Sequence, residues 1–301
     1  MNYKYSIASI RYRARTTPLR LPLIWARHWK IKPHDVFVAS YPRSGNTWMR
    51  FLLCEVLTES NADFQSVTFT IPAIRLRSLY GTIPSILPGG GRLLRTHEQY
   101  NRVYKKAVYF VRDPRDIVVS NYEFERGLPH FRATSFDNFL ISFTRGKINS
   151  FGGWSEHVRG WLDSRLANSD DFLLVRYEDL RSDTERIVTK IVEFLGVSVD
   201  SEKIRRAIAN NSLHRMRQKE DDSRGWSPES GAAIEAGRQV RVGSVGGWRD
   251  RLSPAQVDLI EHYAGDLMRL LGYKGRADLV HAVGEPSIIG DEKLLGADLA
   301  S

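Results

Sequence analysis

One cysteine, Cys54, is the whole thiol complement of this 301-residue chain. No internal disulfide can form, and a reducing compartment is the natural setting. Its neighbours Leu52, Leu53 and Val56 make Cys54 a small buried apolar side chain rather than a reactive thiol. Long hydrophobic runs are missing as well. Nothing approaches the ~18 apolar residues that a membrane-spanning helix needs, and no secretory signal leads to a small-residue cleavage site. A cytoplasmic protein is therefore expected. Internal repeats and linker-like stretches are also lacking, so one domain is the expected organisation. The Gly-Lys-Ser/Thr of a nucleoside-triphosphate loop is absent too, which argues against ATP or GTP hydrolysis.

Negative charge is in short supply. Lysine and arginine number 44 against 35 aspartates and glutamates, a net charge of +9. Such a surplus calls for an anionic partner: a nucleotide, nucleic acid, acidic glycan or membrane surface. Much of it is scattered through "RSDTERIVTK" and "SEKIRRAI", which read as solvated helix faces, so nucleic acid is not the expected partner. The concentrated part is "IRYRARTTPLRLPLIWARHWK", residues 10–30, where arginines mix with Leu, Ile and two tryptophans. That mixture suits an anionic membrane surface. The reading preferred here is an N-terminal arm, residues 1–34, packing Trp25 and Trp29 on the domain.

What is present is an alternation of short apolar runs with helical patterns, the signature of a parallel sheet covered by helices. Strands are expected at 36–40, 92–97, 107–112 and 172–176. A helix is expected over 45–58, where Trp48, Met49, Leu52, Leu53 and Val56 recur at three to four residues. "SDTERIVTKIVEFLG" carries a capping box of Ser182 and Glu185, with Gly196 as the stop. "SPAQ" opens a further helix with Ser253 as cap, Pro254 in its first turn and Gln256 completing the box, and Gly272 ends it. Residues 71–91 and 221–238 read as long loops of the lid or binding kind. The stretch from about 275 to 301 has no period and suits a disordered tail.

Two strand-to-helix junctions carry the chemistry. "YPRSGNTW", residues 41–48, places the backbone N–H groups of Gly45 to Trp48 at a helix N-terminus, where orphan donors and the helix dipole attract anions. Ser44, Asn46 and Thr47 add donors, Gly45 allows close backbone approach, and Arg43 supplies a permanent cation. The second junction, "VRDPRDIVVS", brings Arg112 and Ser120 to a site that suits another phosphate. The plainer role for its acidic residues is that Asp113 and Asp116 cap the helix and pair with Arg115.

At these motifs the chain resembles the cytosolic-type sulfotransferases, which use 3′-phosphoadenosine-5′-phosphosulfate (PAPS). Further family blocks are resembled in order by "LLRTH", "FGGWSEHVRGWL", "LVRYEDL" and "RVGSVGGWRDRLSP", so the likeness covers most of residues 35–274. The resemblance implies one α/β domain with a central parallel sheet flanked by helices, related to P-loop nucleotide kinases, and no required metal. Residues Arg43, Ser44, Gly45, Asn46 and Thr47 would hold the 5′-phosphosulfate, with Trp48 against the adenine and Tyr177 near it. Arg112 and Ser120, joined by Arg241 and the backbone of Gly243, would bind the 3′-phosphate, and Ser212 belongs to the same cofactor-binding set. His97 would act as base in transferring the sulfuryl group to a hydroxyl, with Arg43 and Arg95 stabilising the leaving phosphate and Ser120 beside them. The product would be 3′-phosphoadenosine-5′-phosphate (PAP).

The chain departs from the family pattern in three places. Arg43 stands where many members have lysine. Arg241-Val242-Gly243 replaces Arg-Lys-Gly. Ser253-Pro254 replaces the Thr-Val of the family's dimerisation segment, which leaves the oligomeric state open. Loops 71–91 and 121–153 would border the acceptor, a small molecule, lipid or glycan. Tyr122, Phe124, Phe131 and Phe136 suit an apolar or aromatic compound, whereas Arg75, Arg77 and Arg126 suit an acidic one. The competing readings are a P-loop-type kinase or NTPase, and a basic module that binds nucleic acid or membrane without catalysis.

Overall fold

The computed structural model describes residues 20–74, 83–127, 134–223, 239–240 and 243–276. Four parallel strands form the sheet: β1 (Val36–Ser40), β2 (Leu93–Thr96), β3 (Lys106–Val111) and β4 (Phe172–Arg176). Their spatial order is β2-β1-β3-β4, so β1 is flanked by β2 on one side and β3 on the other. Successive connections diverge at β1/β3, and a crevice opens beyond the carboxyl ends of the strands at such a point.

Alternation along the strands builds two cores. Phe37 and Ala39 of β1 and Tyr109 of β3 face one side, against Val158 and Trp161 of α6 (Trp154–Leu162) and Ile260 of α11 (Pro254–Leu270). Val36, Val38, Val108 and Phe110 face the other, against α2 (Asn46–Thr58) and α8 (Thr184–Phe194). Covered on both faces, β1 is apolar throughout apart from its last residue, Ser40, and buried along its whole length.

The remaining helices are α1 (Arg20–His28), α3 (Phe64–Thr70), α4 (Pro114–Arg126), α5 (Phe136–Thr144), α7 (Tyr177–Ser182), α9 (Ser201–Asn210) and α10 (Leu213–Asp222). The expected strands and the helix over 45–58 are present to within a residue or so. The cap of α8 differs: Asp183 accepts from Arg186 N–H, whereas the hydroxyl of Ser182 donates to Asp179 C=O at the end of α7. Aspartate is as good a cap as serine, and the preceding helix occupies Ser182. At α11 the box of Ser253 and Gln256 forms as expected, with Pro254 in the first turn. Residues 121–153 are not one loop, because α4 runs to Arg126 and α5 covers Phe136–Thr144.

The arm also differs from expectation. Arg27 pairs with Glu98 at 2.8 Å, the His28 ring meets the Tyr104 hydroxyl at 2.6 Å, and Ile31 joins the core. Trp25 and Trp29, however, are 63% and 66% exposed and touch each other edge-on at 4.7 Å rather than packing on the domain. The end of α1 presents Arg27 and His28 inward, which leaves Trp25, and Trp29 just past the helix, turned out. Among the described residues no helix is long and apolar enough to cross a membrane.

Candidate active site

The first junction forms at the end of β1. Two of its residues have left-handed backbone, Arg43 at φ 71° and Gly45 at φ 90°. For a non-glycine residue such as Arg43 this conformation is uncommon, and such strain gathers at ligand clamps. Gly45 caps α2 without a side-chain bond, so the first N–H groups of the helix keep no intrahelical acceptor. Only glycine fits there for a second reason: a Cβ would lie 2.5 Å from the Tyr177 ring. Tyr177 in turn donates its hydroxyl to Gly243 C=O at 3.0 Å.

The second junction lies beside the first. Arg112, at the end of β3, is 7% exposed and stacks over the Tyr177 ring at 4.5 Å. Its terminal nitrogens donate to the carbonyls of Arg43 at 3.0 Å and Ser244 at 2.9 Å. Arg43 lies over the Phe124 ring and donates its Nε to Ser120 Oγ at 3.1 Å and its Nη2 to Gln239 C=O at 3.3 Å. The cation of the first loop and the serine of the second site therefore form one unit.

Ser44 Oγ, Asn46 Oδ1 and Arg112 Nε are buried in this region without a hydrogen-bond partner. Two of them are donors, as an anion requires. Asn46 turns its amide N–H inward, to Val38 C=O at 3.1 Å and Ser40 Oγ at 3.2 Å, so its side chain fastens the loop to β1. Trp48 donates to Asn211 C=O at 2.9 Å, and Arg181 covers its ring at 5.1 Å.

His97 follows β2 and is half-buried. Its Nδ1 lies 2.7 Å from Ser40 C=O, an acceptor only, so Nδ1 carries the proton and Nε2 is the basic nitrogen. Burial pushes the His97 pKa well below 6.5, the Arg95 guanidinium pushes it further, and the bond to Ser40 opposes both. The ring is therefore neutral near pH 7.

One cleft of about 420 Å³ joins these parts. Its wall includes Arg43, Gly45 to Trp48, Arg95 and His97, together with Arg112, Ser120, Tyr177 and Gly243. Ser44 sits behind the wall, 1% exposed. Ser212 is an exposed residue capping α10 between Asn211 and Leu213, which do line the cleft. Arg241 lies outside the described residues, as do Arg75, Arg77 and Phe131. Tyr122 and Phe136 pack on each other at 5.1 Å against the core, whereas Phe124 faces the cleft. Arg126 pairs with Glu123 at 2.9 Å.

Two buried carboxylates that hold the rim escaped sequence reasoning. Asp116 does not cap its own helix, α4. Its oxygens accept from Gly246 N–H at 2.7 Å and Trp248 N–H at 3.0 Å, while Asp113 caps α4 and pairs with Arg115 at 2.7 Å. Burial raises the Asp116 pKa against those bonds. Glu220 accepts from Gln239 N–H at 2.6 Å and Val240 N–H at 3.1 Å. Their partners are peptide groups far along the chain, which leave no mark in side-chain spacing.

The sulfotransferase domain family matches residues 33–272. The chain belongs to this family. Among its sulfotransferase relatives, Sulfotransferase 2A1 of Macaca fascicularis is 31% identical over 245 residues, 77% of this chain and 83% of that protein. Sulfotransferase 2B1 of Homo sapiens is 27% identical over 248 residues, 79% of this chain and 67% of that protein. Mouse sulfotransferase SULT7A1, solved in complex with PAP, superposes with a TM-score of 0.66 at 22% identity, covering 90% of this chain and 95% of that one. Retinol dehydratase, solved with androsterone and PAP, gives 0.65 at 23% identity, covering 83% and 85%. At these identities the two structures speak to the sulfotransferase fold.

Proposed function

We propose that this sulfotransferase moves a sulfuryl group from PAPS to the hydroxyl of an apolar small molecule, with His97 as base. The observation that carries this reading is a neutral histidine, its Nδ1 committed to Ser40, lining the same cleft as a strained, donor-rich anion loop. An alcohol is a poor nucleophile, and a base with a pKa at or below neutrality takes its proton as the S–O bond forms. As sulfur leaves the bridging oxygen, charge grows on the 5′-phosphate. Arg43, Arg95 and the N–H groups opening α2 stabilise that charge as fixed dipoles and cations. Arginine does not give up a proton. None is needed, since a phosphate ester with a second pKa near ~6 leaves readily. The 3′-phosphate would meet Ser120, Arg112, Arg241 and the backbone of Gly243.

The acceptor reading rests on Phe124 and Val119 in the cleft wall and on Phe151, whose ring meets His97 edge-on at 5.9 Å. Together with retinol dehydratase, solved with androsterone, they favour a steroid- or retinoid-like alcohol. A cytoplasmic setting accords with the single buried cysteine. The domain organisation we propose is a catalytic unit over about 35–274, flanked by the arm and the tail. The exposed Trp25–Trp29 pair beside Lys30 and Lys32 further suggests peripheral contact with an anionic bilayer.

Calorimetric titration in EDTA tests the nucleotide site. PAP is expected to bind tightly and ADP much more weakly. Equal binding of the two, or binding that requires Mg²⁺, would overturn the assignment in favour of a kinase-like site.

A further inference from the structure

A second histidine lies against the first. His157, on α6, has no solvent exposure and lines no part of the cleft. Its Nε2 is 3.0 Å from His97 C=O and 3.2 Å from Glu98 C=O. Carbonyls only accept, so Nε2 carries the proton and forks between them. Nδ1 faces the Tyr109 hydroxyl at 2.8 Å, and burial holds that phenol protonated, so Tyr109 donates and Nδ1 accepts. Trp161, one turn further along α6, adds a bond from its Nε1 to Glu98 C=O at 3.2 Å. The His157 ring also meets Tyr41 edge-on at 5.5 Å, and Tyr41 directly follows Ser40, the residue whose carbonyl holds His97 Nδ1.

We infer that His157 is a positioning residue that fixes both supports of His97, its own peptide unit and the Ser40–Tyr41 segment that selects its tautomer. The inference rests on His97 being the base. Residues 97 and 98 have left the β2 ladder, so their carbonyls need other donors to be held. The fork from Nε2 supplies one across both. Glycine or alanine at 157 would take the His157 donor from His97 C=O, leave Glu98 C=O to Trp161 alone and strip the Tyr109 hydroxyl of its acceptor, while leucine would fill the space with no donor.

Charge matters here as well. The groups facing His157 are Tyr109 from β3, Tyr41 after β1, His97 and Glu98 after β2, and Glu156 on its own helix. Glu98 and Glu156 favour the cation, yet burial outweighs them and pulls the pKa down to about 4. A neutral His157 keeps a second positive charge away from His97, which Arg95 already crowds.

The test uses the full chain with ¹⁵N-labelled histidine, comparing the wild type with His157→Leu, His157→Gln and His97→Ala. Long-range ¹H–¹⁵N spectra report each ring's tautomer, calorimetry reports PAP affinity, and turnover is followed with PAPS and androsterone as the probe acceptor. Glutamine places an amide N–H where Nε2 stood. The expected result is a single Nδ1–H tautomer for His97 in the wild type and in His157→Gln, and a mixed population in His157→Leu. The leucine variant should lose kcat on the order of 10²-fold, with PAP affinity held within about twofold. Glutamine should restore most of that loss.

Wild-type kcat in His157→Leu alongside an inactive His97→Ala would overturn the positioning role alone. Parallel loss of PAP affinity and kcat in both His157 variants, with glutamine no better than leucine, would do the same by marking a merely structural residue. Full turnover in His97→Ala would remove the base itself and, with it, any residue that positions it.

Discussion

At His97 three forces meet on one ring. Burial and the neighbouring Arg95 favour the neutral form, and the bond to Ser40 C=O decides which nitrogen is basic. A base that is neutral well below pH 6.5 works throughout the neutral range, so the acid limb of kcat/KM is expected below 6.5. An inflection near or above 7 would contradict the assignment. His97→Ala is expected to lower kcat by roughly 10²- to 10⁴-fold, the usual range for removing general-base catalysis, with PAP affinity unchanged by calorimetry. His157 carries a stability consequence of its own. Unfolded, it takes a proton near pH 6.5; folded, it resists until about pH 4. Between those values the unfolded chain binds the extra proton, so stability is present above 6.5 and is lost as pH falls towards 4. The full loss is roughly 3 kcal/mol by linkage. Thermal unfolding should show a flatter Tm decline over that window in His157→Gln than in the wild type.

At the scale of elements, the strand-turn-helix loop of residues 41–48 was the most legible feature. Strand, turn glycine and helix follow one another within residues 36–58, and the local chemistry of each requires little from the rest of the fold. Gly45→Ala tests how tightly that loop is built. It would set a Cβ in a left-handed conformation and within 2.5 Å of Tyr177, so a Tm loss of several degrees and severe loss of PAP binding are expected. An alanine variant that binds PAP normally would show that the loop relaxes freely. Elements whose ends depend on neighbours were harder to read. Asp183 rather than Ser182 caps α8 because α7 stops one residue earlier, and α5 was hidden inside what looked like a loop rich in aromatic residues. Ser253-Pro254, where the family carries its dimerisation segment, is here the sealed start of a helix, with both box bonds made internally.

For the whole molecule, charge and exposure separate what composition left combined. Part of the basic surplus lines the cleft through Arg43, Arg95, Arg112, Arg181 and Arg251. Another part flanks the exposed indoles of Trp25 and Trp29. Periodicity in a short arm gives no sign of which face docks; that was set by Arg27 reaching Glu98 and His28 reaching Tyr104. Vesicles containing phosphatidylserine are expected to co-sediment the protein in low salt, and Trp25→Ala/Trp29→Ala to abolish this. Equal sedimentation with purely zwitterionic vesicles, or none with either, would count against a membrane role. The sheet, the strand-turn-helix loop and the place of His97 beside it could be read from local patterns. Asp116, Glu220 and His157 could not, because each acts on backbone groups brought near only by the completed fold.

Those two rim carboxylates have a consequence for how the enzyme can change. Asp116 and Glu220 grip residues 239, 240, 246 and 248 through peptide N–H groups, which every amino acid except proline provides. The side chain of Gln239 is therefore a spectator to its own anchorage, and Val240 is bound only to stay apolar where it packs on the core. A lineage, or an engineer, can rewrite position 239 to suit a new ligand while the rim stays where it is, provided the two acids behind it are left alone.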